Sequence, residues 1–308
     1  MRIAATIVLL LVVGCSAPDP NDLVSATGYA LAREHGRTLS VGGIDTFAIT
    51  VGTGPDIVLL HDIASSTYSW RHLIPALSEL HRVHALDLPG FGFSAKPANA
   101  PYTNSWFAGH VAAYMNAAGI ESAIVIGSGM GGEIASELAS IYPRRVRALV
   151  LIAPSGLPSD ELDEPPMAIR LATLPGAAAI APLLPLRPFL ASTLRAAYFD
   201  PSLLADTDID AHSRPLQSSG GLTAFLTCVA REETFDRSML VKGIDVPTLV
   251  VLGEVDRLVP RSVGRAYHEL VAHSELAVIE RAGHLPQEER PEATLAVVDR
   301  FIRSLPAS

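Results

Sequence analysis

The stretch Ala123-Ile-Val-Ile-Gly-Ser-Gly-Met-Gly-Gly132 has the residue types and spacing of a turn that presents a nucleophile. Ala123 to Ile126 are apolar and mostly β-branched, which suits a short buried strand. Glycines 127, 129, 131 and 132 then form a sharp turn, and a helix is predicted from Glu133 to Ile141. A strand–turn–helix elbow of this kind needs small residues two positions before and two after its tip, because strand and helix pack closely there. With Gly129 at the tip those neighbours are Gly127 and Gly131. With Ser128 at the tip they are Ile126 and Met130, and neither is small. The elbow therefore centres on Gly129, which has no side chain to act as a nucleophile.

The elements around this turn predict a mostly parallel sheet. Arg37–Val41 and Ile44–Val51, joined by Gly42-Gly43, read as a hairpin. Ile57–His61 is an apolar run suited to a strand buried on both faces. A loop from Asp62 to Tyr68 leads to a helix from Ser69 to Leu77, and His81–Leu86 is the next strand. It runs into the turn-rich Asp87-Leu-Pro-Gly-Phe-Gly-Phe-Ser94. A helix is expected over Asn104–Ala118. Further strands are expected at Val146–Ile152, Thr248–Leu252 and Ala277–Ile279, with helices at Arg261–Val271 and Pro291–Ser304. Alternation of strands and helices predicts an α/β class with helices on both faces of the sheet. Between Pro154 and Asp245 the strand rhythm stops. An acidic run, Glu161–Glu164, opens a very apolar stretch, Met167–Leu194, broken by Pro175, Pro182, Pro185 and Pro188. Those prolines, with Arg170 and Arg187, argue for short lid helices rather than a membrane span.

Of the 308 residues 49% are hydrophobic and 18% charged, enough apolar material for a large core. The net charge of −9, without a Lys/Arg cluster, disfavours nucleic acid as a partner. The glycines at 127–132 lack the spacing of a dinucleotide fingerprint, and no metal cluster or phosphate loop is present, so no cofactor is expected. Arg2 followed by the apolar Ile3–Val13 reads as a signal segment too short to span a bilayer. It ends in Val12-Val13-Gly14-Cys15, which resembles the lipobox of bacterial lipoprotein signal peptides. That resemblance implies a mature chain lipid-anchored at Cys15 in the cell envelope, outside the cytoplasm. The division expected is a signal peptide over 1–14, a tether over 15–36, a core over 37–153 and 246–308, and a helical lid over 154–245. The other cysteine, Cys228, is expected to be a buried free thiol.

Five stretches in order carry a further resemblance: Leu59-Leu-His61; Asp87–Ser94; the elbow at 127–132; Leu252-Gly-Glu-Val-Asp256; and Ala282-Gly-His284. From about residue 37 onward the chain resembles the α/β-hydrolase superfamily, in its lidded, esterase- or haloalkane dehalogenase-like branch. The resemblance implies an α/β-hydrolase fold and hydrolysis of small apolar ester-like substrates. It implies Asp256 as the acid, with Glu254 as a rival, and His284 as the base. A carboxylate held against an imidazole fixes its tautomer and stabilises its charged form. The implied oxyanion hole is the backbone N–H of Ile63 and Met130. Asp87 and Ser94 read as structural, and His35, His72, His81, His110 and His273 as surface or packing residues. Two positions depart from the pattern. Asp62 replaces a glycine, and a carboxylate beside an oxyanion site is unhelpful unless it points away. Gly129 replaces the nucleophile. Three readings of that glycine follow: covalent catalysis has been lost; the Asp256–His284 pair activates water or abstracts a substrate proton without a cofactor; or Ser128 acts as a displaced nucleophile, the least favoured because an elbow points that side chain elsewhere. The rival to an enzyme is a catalytically silent ligand-binding or sensor protein on the same fold. The apolar lid implies a small apolar molecule as ligand.

Overall fold

The structure, a computed structural model, describes residues 29–159, 186–230 and 237–306. The signal segment, Cys15, most of the tether, the acidic run and much of the apolar stretch before residue 186 lie outside the described residues.

Among the described residues eight strands form one sheet in the order β1-β2-β4-β3-β5-β6-β7-β8. They are β1 (Gly36–Val41), β2 (Ile44–Val51), β3 (Asp56–Leu60), β4 (Arg82–Leu86), β5 (Ala123–Ser128), β6 (Val146–Ile152), β7 (Thr248–Gly253) and β8 (Ser274–Ile279). β2 runs antiparallel to β1 and β4, and every other pairing is parallel. The helices are α1 (Ala30–His35), α2 (Ile74–Leu77), α3 (Asn104–Ala117), α4 (Met130–Ile141), α5 (Leu186–Ala197), α6 (Asp206–Gln217), α7 (Gly221–Ala230), α8 (Ser238–Lys242), α9 (Arg261–Leu270), α10 (Pro286–Glu289) and α11 (Pro291–Ser304). Helices α5 to α8 form an insertion between β6 and β7.

Alternate side chains of a strand point to opposite faces, so the apolar strands feed two cores. Val58, Leu60 and Val125 pack on one face with Ile134 and Leu138 of α4. Ile57, Leu59, Ile124 and Ile126 pack on the other with Val298 and Phe301 of α11. The parallel register brings Leu60 beside Gly127, Ser128 beside Ile152 and Gly253 beside Ile279. The carboxyl ends of β3, β5, β7 and β8 therefore share one edge, where open α/β sheets place their ligands.

Three local expectations change. Ser69–Leu77 is not one helix but a 3-10 turn, Thr67–Trp70, followed by the single turn of α2. The Ser66 hydroxyl accepts the Tyr68 N–H and so starts this segment earlier and tighter than apolar spacing suggested. The helix after the elbow begins at Met130, not Glu133. Gly131 fits inside that helix because an added Cβ would meet the Leu60 carbonyl oxygen at 2.1 Å. Residues 30–35, within the stretch expected as tether, form α1, with Tyr29 and Ala32 buried against the sheet.

Candidate active site

The tip of the elbow is Gly129, with φ 53° and ψ −119°. A side chain there would be strained by roughly 1–3 kcal/mol, a cost such sites usually carry for function. The turn is also tight: a Cβ on Gly127 would lie 2.2 Å from the Gly131 carbonyl oxygen. Ser128, the suggested substitute, is fully buried, and its Oγ accepts a hydrogen bond from Gln287 Nε2 at 3.2 Å. It does not line the pocket beside Asp62 and His284.

His284 follows β8 on a loop fixed from several sides. Its backbone N–H donates to the carbonyl of Ala197, the last residue of α5, at 2.6 Å. Gly283 permits that approach, since a Cβ there would meet the same carbonyl oxygen at 2.1 Å. The Gly283 N–H donates to Glu289 Oε2 at 2.8 Å, and the same carboxylate accepts the N–H groups of Phe199 and Asp200. Asp256, in the turn after β7, lies 2.7 Å from His284 Nδ1 through Oδ2. Its Oδ1 accepts the N–H groups of Leu258 and Val259 at 2.8 and 2.9 Å, so the carboxylate cannot rotate freely. The rival Glu254 accepts the Arg281 N–H on the exposed side of the same loop.

Asp62 does not point away from the site. Its Oδ1 accepts the N–H of Ile63 and the N–H of Met130, both at 2.7 Å, which are the two donors expected to form the oxyanion hole. Met130 is the first residue of α4, so the carboxylate also meets the positive end of a helix dipole. Its Oδ2 lies 3.0 Å from His284 Nε2. A Cβ on Gly129 would fall 2.1–2.5 Å from the atoms of this carboxylate. The two departures seen in the sequence are thus one arrangement: the Asp62 carboxylate occupies the volume that a side chain at 129 would fill.

His61 holds this loop in place. Its Nε2 accepts the Leu88 N–H at 2.9 Å, so Nδ1 carries the hydrogen and donates to the Asp62 carbonyl at 2.7 Å. Burial pushes the ring down to about 4, which keeps it neutral for this role. Asp87 accepts the N–H groups of Thr67 and Phe93, and burial raises it to about 6. Ser94 donates to the Asp87 carbonyl and accepts the Phe47 N–H. Both residues brace the loop after β4.

Sequence reasoning passed over one group of residues near the site. Glu288, fully buried, accepts from Ser69 Oγ and Arg71 at 2.6 Å each, and lies 3.2 Å from His212 Nε2 and 3.3 Å from the Tyr198 hydroxyl. His212 sits on α6 and lines the pocket. The signal available was a glutamate two residues beyond the last residue of α10's leading Leu285-Pro286 turn, a position with no apolar periodicity to place it. The pocket itself has a volume of about 200 Å³ and is walled by Ile63, Phe189, Leu190, Phe225, Leu258 and Leu285 around Asp62 and His284.

Burial drives the His284 ring toward neutrality, but Asp256 first and Asp62 second outweigh it and raise the ring to about 10 from an ordinary 6.5. At neutral pH the His284 ring is therefore held as the imidazolium. A raised histidine contributes stability that is complete below the unfolded value and is lost as pH rises through the folded one. Stability from His284 should therefore fall between about 6.5 and about 10. Asp62→Asn, which removes one anion, should lower the ring's titration midpoint in an NMR titration and flatten that fall in urea unfolding. Comparing the two proteins separates His284 from Lys96, which burial pulls from 10.5 down to about 8 and which acts with the opposite sign over a range that overlaps only the upper part of this one. An unchanged midpoint in Asp62→Asn would contradict the ion triad.

A family model of the alpha/beta hydrolase fold matches residues 55–291. The chain belongs to that family. It is 29% identical over 279 residues to the 2-hydroxy-6-oxo-2,4-heptadienoate hydrolase of Pseudomonas putida, covering 87% of this chain and 96% of that one. It is 29% identical over 252 residues to the pimeloyl-[acyl-carrier protein] methyl ester esterase of Aeromonas hydrophila, covering 82% and 96%. Among solved structures it is similar to a meta-cleavage product hydrolase from Pseudomonas fluorescens IP01 complexed with acetates, with a TM-score of 0.75, 26% identity, and coverage of 89% of this chain and 99% of that one. These relatives are hydrolases, so the alpha/beta hydrolase class expected from the sequence holds for both fold and family.

Proposed function

We propose that the chain is a hydrolase of small apolar molecules driven by His284 and Asp256, without a serine nucleophile. The observation that carries this reading is the His284 ring, held by Asp256 at 2.7 Å and turned toward a largely apolar pocket. The ester-like substrate expected from sequence finds support in the esterase relative. Addition to an ester carbonyl needs two N–H donors for the developing oxyanion, however, and Asp62 holds both. The substrate bond that fits best is therefore one that can be cleaved while Asp62 stays seated. A resting imidazolium also speaks against simple proton abstraction by His284 as the first step.

The test is turnover of a panel of short aryl esters, epoxides and vinylogous diketones by the native protein and by His284→Ala. The expected loss is about 10²–10⁴-fold, the usual contribution of a positioned acid–base group. A second reading, a ligand-binding protein, is favoured by one observation: an internal carboxylate already satisfies the oxyanion donors. It predicts no turnover in either protein and unchanged ligand affinity in His284→Ala.

We also infer an envelope lipoprotein, on the support of Arg2, the apolar Ile3–Val13 and the Val12-Val13-Gly14-Cys15 run. Cys15→Ala should move the expressed protein from the membrane fraction to the soluble one, and an unchanged distribution would refute the anchor.

A further inference from the structure

A carboxylate whose only task was to cap α4 would need neither a histidine on its second oxygen nor an empty tip at position 129. Asp62 has both. Oδ1 rests on the N–H groups of Ile63 and Met130, while Oδ2 meets His284 Nε2 and the residue lines the pocket. The side chain of Asp62 is only 16% exposed, and its loop is held by the His61–Asp62 carbonyl bond and by a turn from the Ser65 N–H to the same carbonyl. It is a fixed carboxylate at the wall of the pocket, with Oδ1 on two backbone N–H groups and Oδ2 on the ring of the acid–base histidine, an arrangement suited to a carboxylate nucleophile.

We propose that Asp62 is the nucleophile of this chain, supplied by the loop after β3 instead of the elbow after β5, and that its substrate is a small apolar alkylating molecule, an epoxide above all. This deepens the reading of the chain as a His284-dependent hydrolase and rests on it. Asp62 Oδ2 forms a bond to a saturated ring carbon of the epoxide. The C–O bond breaks, and its electron pair leaves on the ring oxygen as an alkoxide on the same molecule. Asp62 becomes a neutral ester whose carbonyl oxygen, Oδ1, stays on the two backbone N–H groups. The alkoxide takes its proton from the His284 imidazolium, whose Nε2–H has just lost its anionic partner. The ring is now neutral and serves as a base. It removes a proton from water, and the water oxygen adds to the ester carbonyl, placing the negative charge on Oδ1 where both donors await it. Collapse breaks the bond from the carboxyl carbon to Oδ2, which leaves on the substrate carbon as an alkoxide and takes the proton back from His284, while the water oxygen stays in the Asp62 carboxyl group. The carboxylic acid of Asp62 returns its own proton to the ring. Epoxide and water have become a diol, and Asp62 and His284 are restored. The same arrangement explains why the oxyanion donors persist beside a residue that occupies them: they serve the second half of the reaction, on the ester that Asp62 itself becomes.

The experiment is a single turnover in heavy-oxygen water, with native protein in excess over styrene oxide and, separately, over 1-bromohexane. Peptide mapping then locates the label. The expected result is one heavy oxygen in the Asp62 carboxylate and none in the first-turnover product. In His284→Gln, which lacks the base for the second half, the Asp62 peptide should gain the mass of the whole epoxide. Label in the product with none in Asp62 would mean direct attack by water and would overturn the nucleophile while leaving the His284-dependent hydrolase intact. If neither compound reacts or labels Asp62, while other members of the substrate panel turn over with His284 dependence, the inference fails and the hydrolase reading stands. If nothing turns over and no adduct forms, both fail. Because the label is read in native protein, the outcome does not depend on the folding of an Asp62 variant.

Discussion

Replacing Asp62 with Gly and Gly129 with Ser together is expected to create an aryl esterase, whereas Gly129→Ser alone should remain inert. The reason is steric and electrostatic. A Cβ at 129 falls 2.1 Å from Asp62 Oδ1, so a lone serine must evict a carboxylate held by two backbone N–H groups and an imidazole. With Asp62 reduced to glycine, the serine side chain has the vacated volume, the Ile63 and Met130 donors are free, and His284 with Asp256 is already in place. Members of a nucleophile–histidine–acid set act as a unit and are strongly non-additive, so the double variant should exceed the native background toward p-nitrophenyl acetate by about a thousandfold or more. Comparable rates in the single and double variants would show that Asp62 does not govern the site.

The second large effect concerns stability. Glu288→Ala should lower the unfolding free energy by about 3–5 kcal/mol, the cost of removing one partner from a buried ion pair. For a chain of this size that is a fall in melting temperature on the order of 10 °C. Glu288 joins three segments that sequence does not join: Ser69 and Arg71 after β3, Tyr198 and His212 of the insertion, and the α10 turn just beyond His284. Against the pull of burial, His212 first and Arg71 second hold the carboxyl well below its usual range. A depressed carboxylate stabilises above its unfolded pKa, and that contribution is lost as pH falls. Calorimetry of Glu288→Ala at neutral pH showing a change under 1 kcal/mol would rule out this account.

Much of the fold was legible because its central strands β3, β5, β6 and β7 are apolar runs buried on both faces. The Asp256 and His284 loops were legible through the family resemblance of Leu252-Gly-Glu-Val-Asp256 and Ala282-Gly-His284, each beyond a strand, and the structure brings the two side chains within 2.7 Å. The elbow register was legible from glycines whose necessity is visible in the contacts, with Gly127 against the Gly131 carbonyl and Gly131 against that of Leu60. What could not be read was the direction of Asp62. A carboxylate beside an anion-stabilising site looks misplaced when each residue is weighed alone. It becomes favourable when Gly129 leaves room and His284 is a cation, and both conditions arise from residues far apart in the chain. The Glu288 cluster was hidden likewise, since a buried polar network has no periodicity and depends on partners from three distant segments.

The mutual exclusion of a side chain at 129 and a carboxylate at 62 constrains how such a site can change by single substitutions. Starting from an ancestor with serine at 129 and glycine at 62, acquiring Asp62 first would drive two side chains into one volume, whereas losing the serine first leaves both positions as glycine and tolerated by the backbone. Neighbours that share a cavity show interaction energies large enough to reverse the sign of a substitution. The route between the two arrangements is therefore directional: it passes through a doubly glycine intermediate with no nucleophile, and a population crossing it must survive without the original reaction.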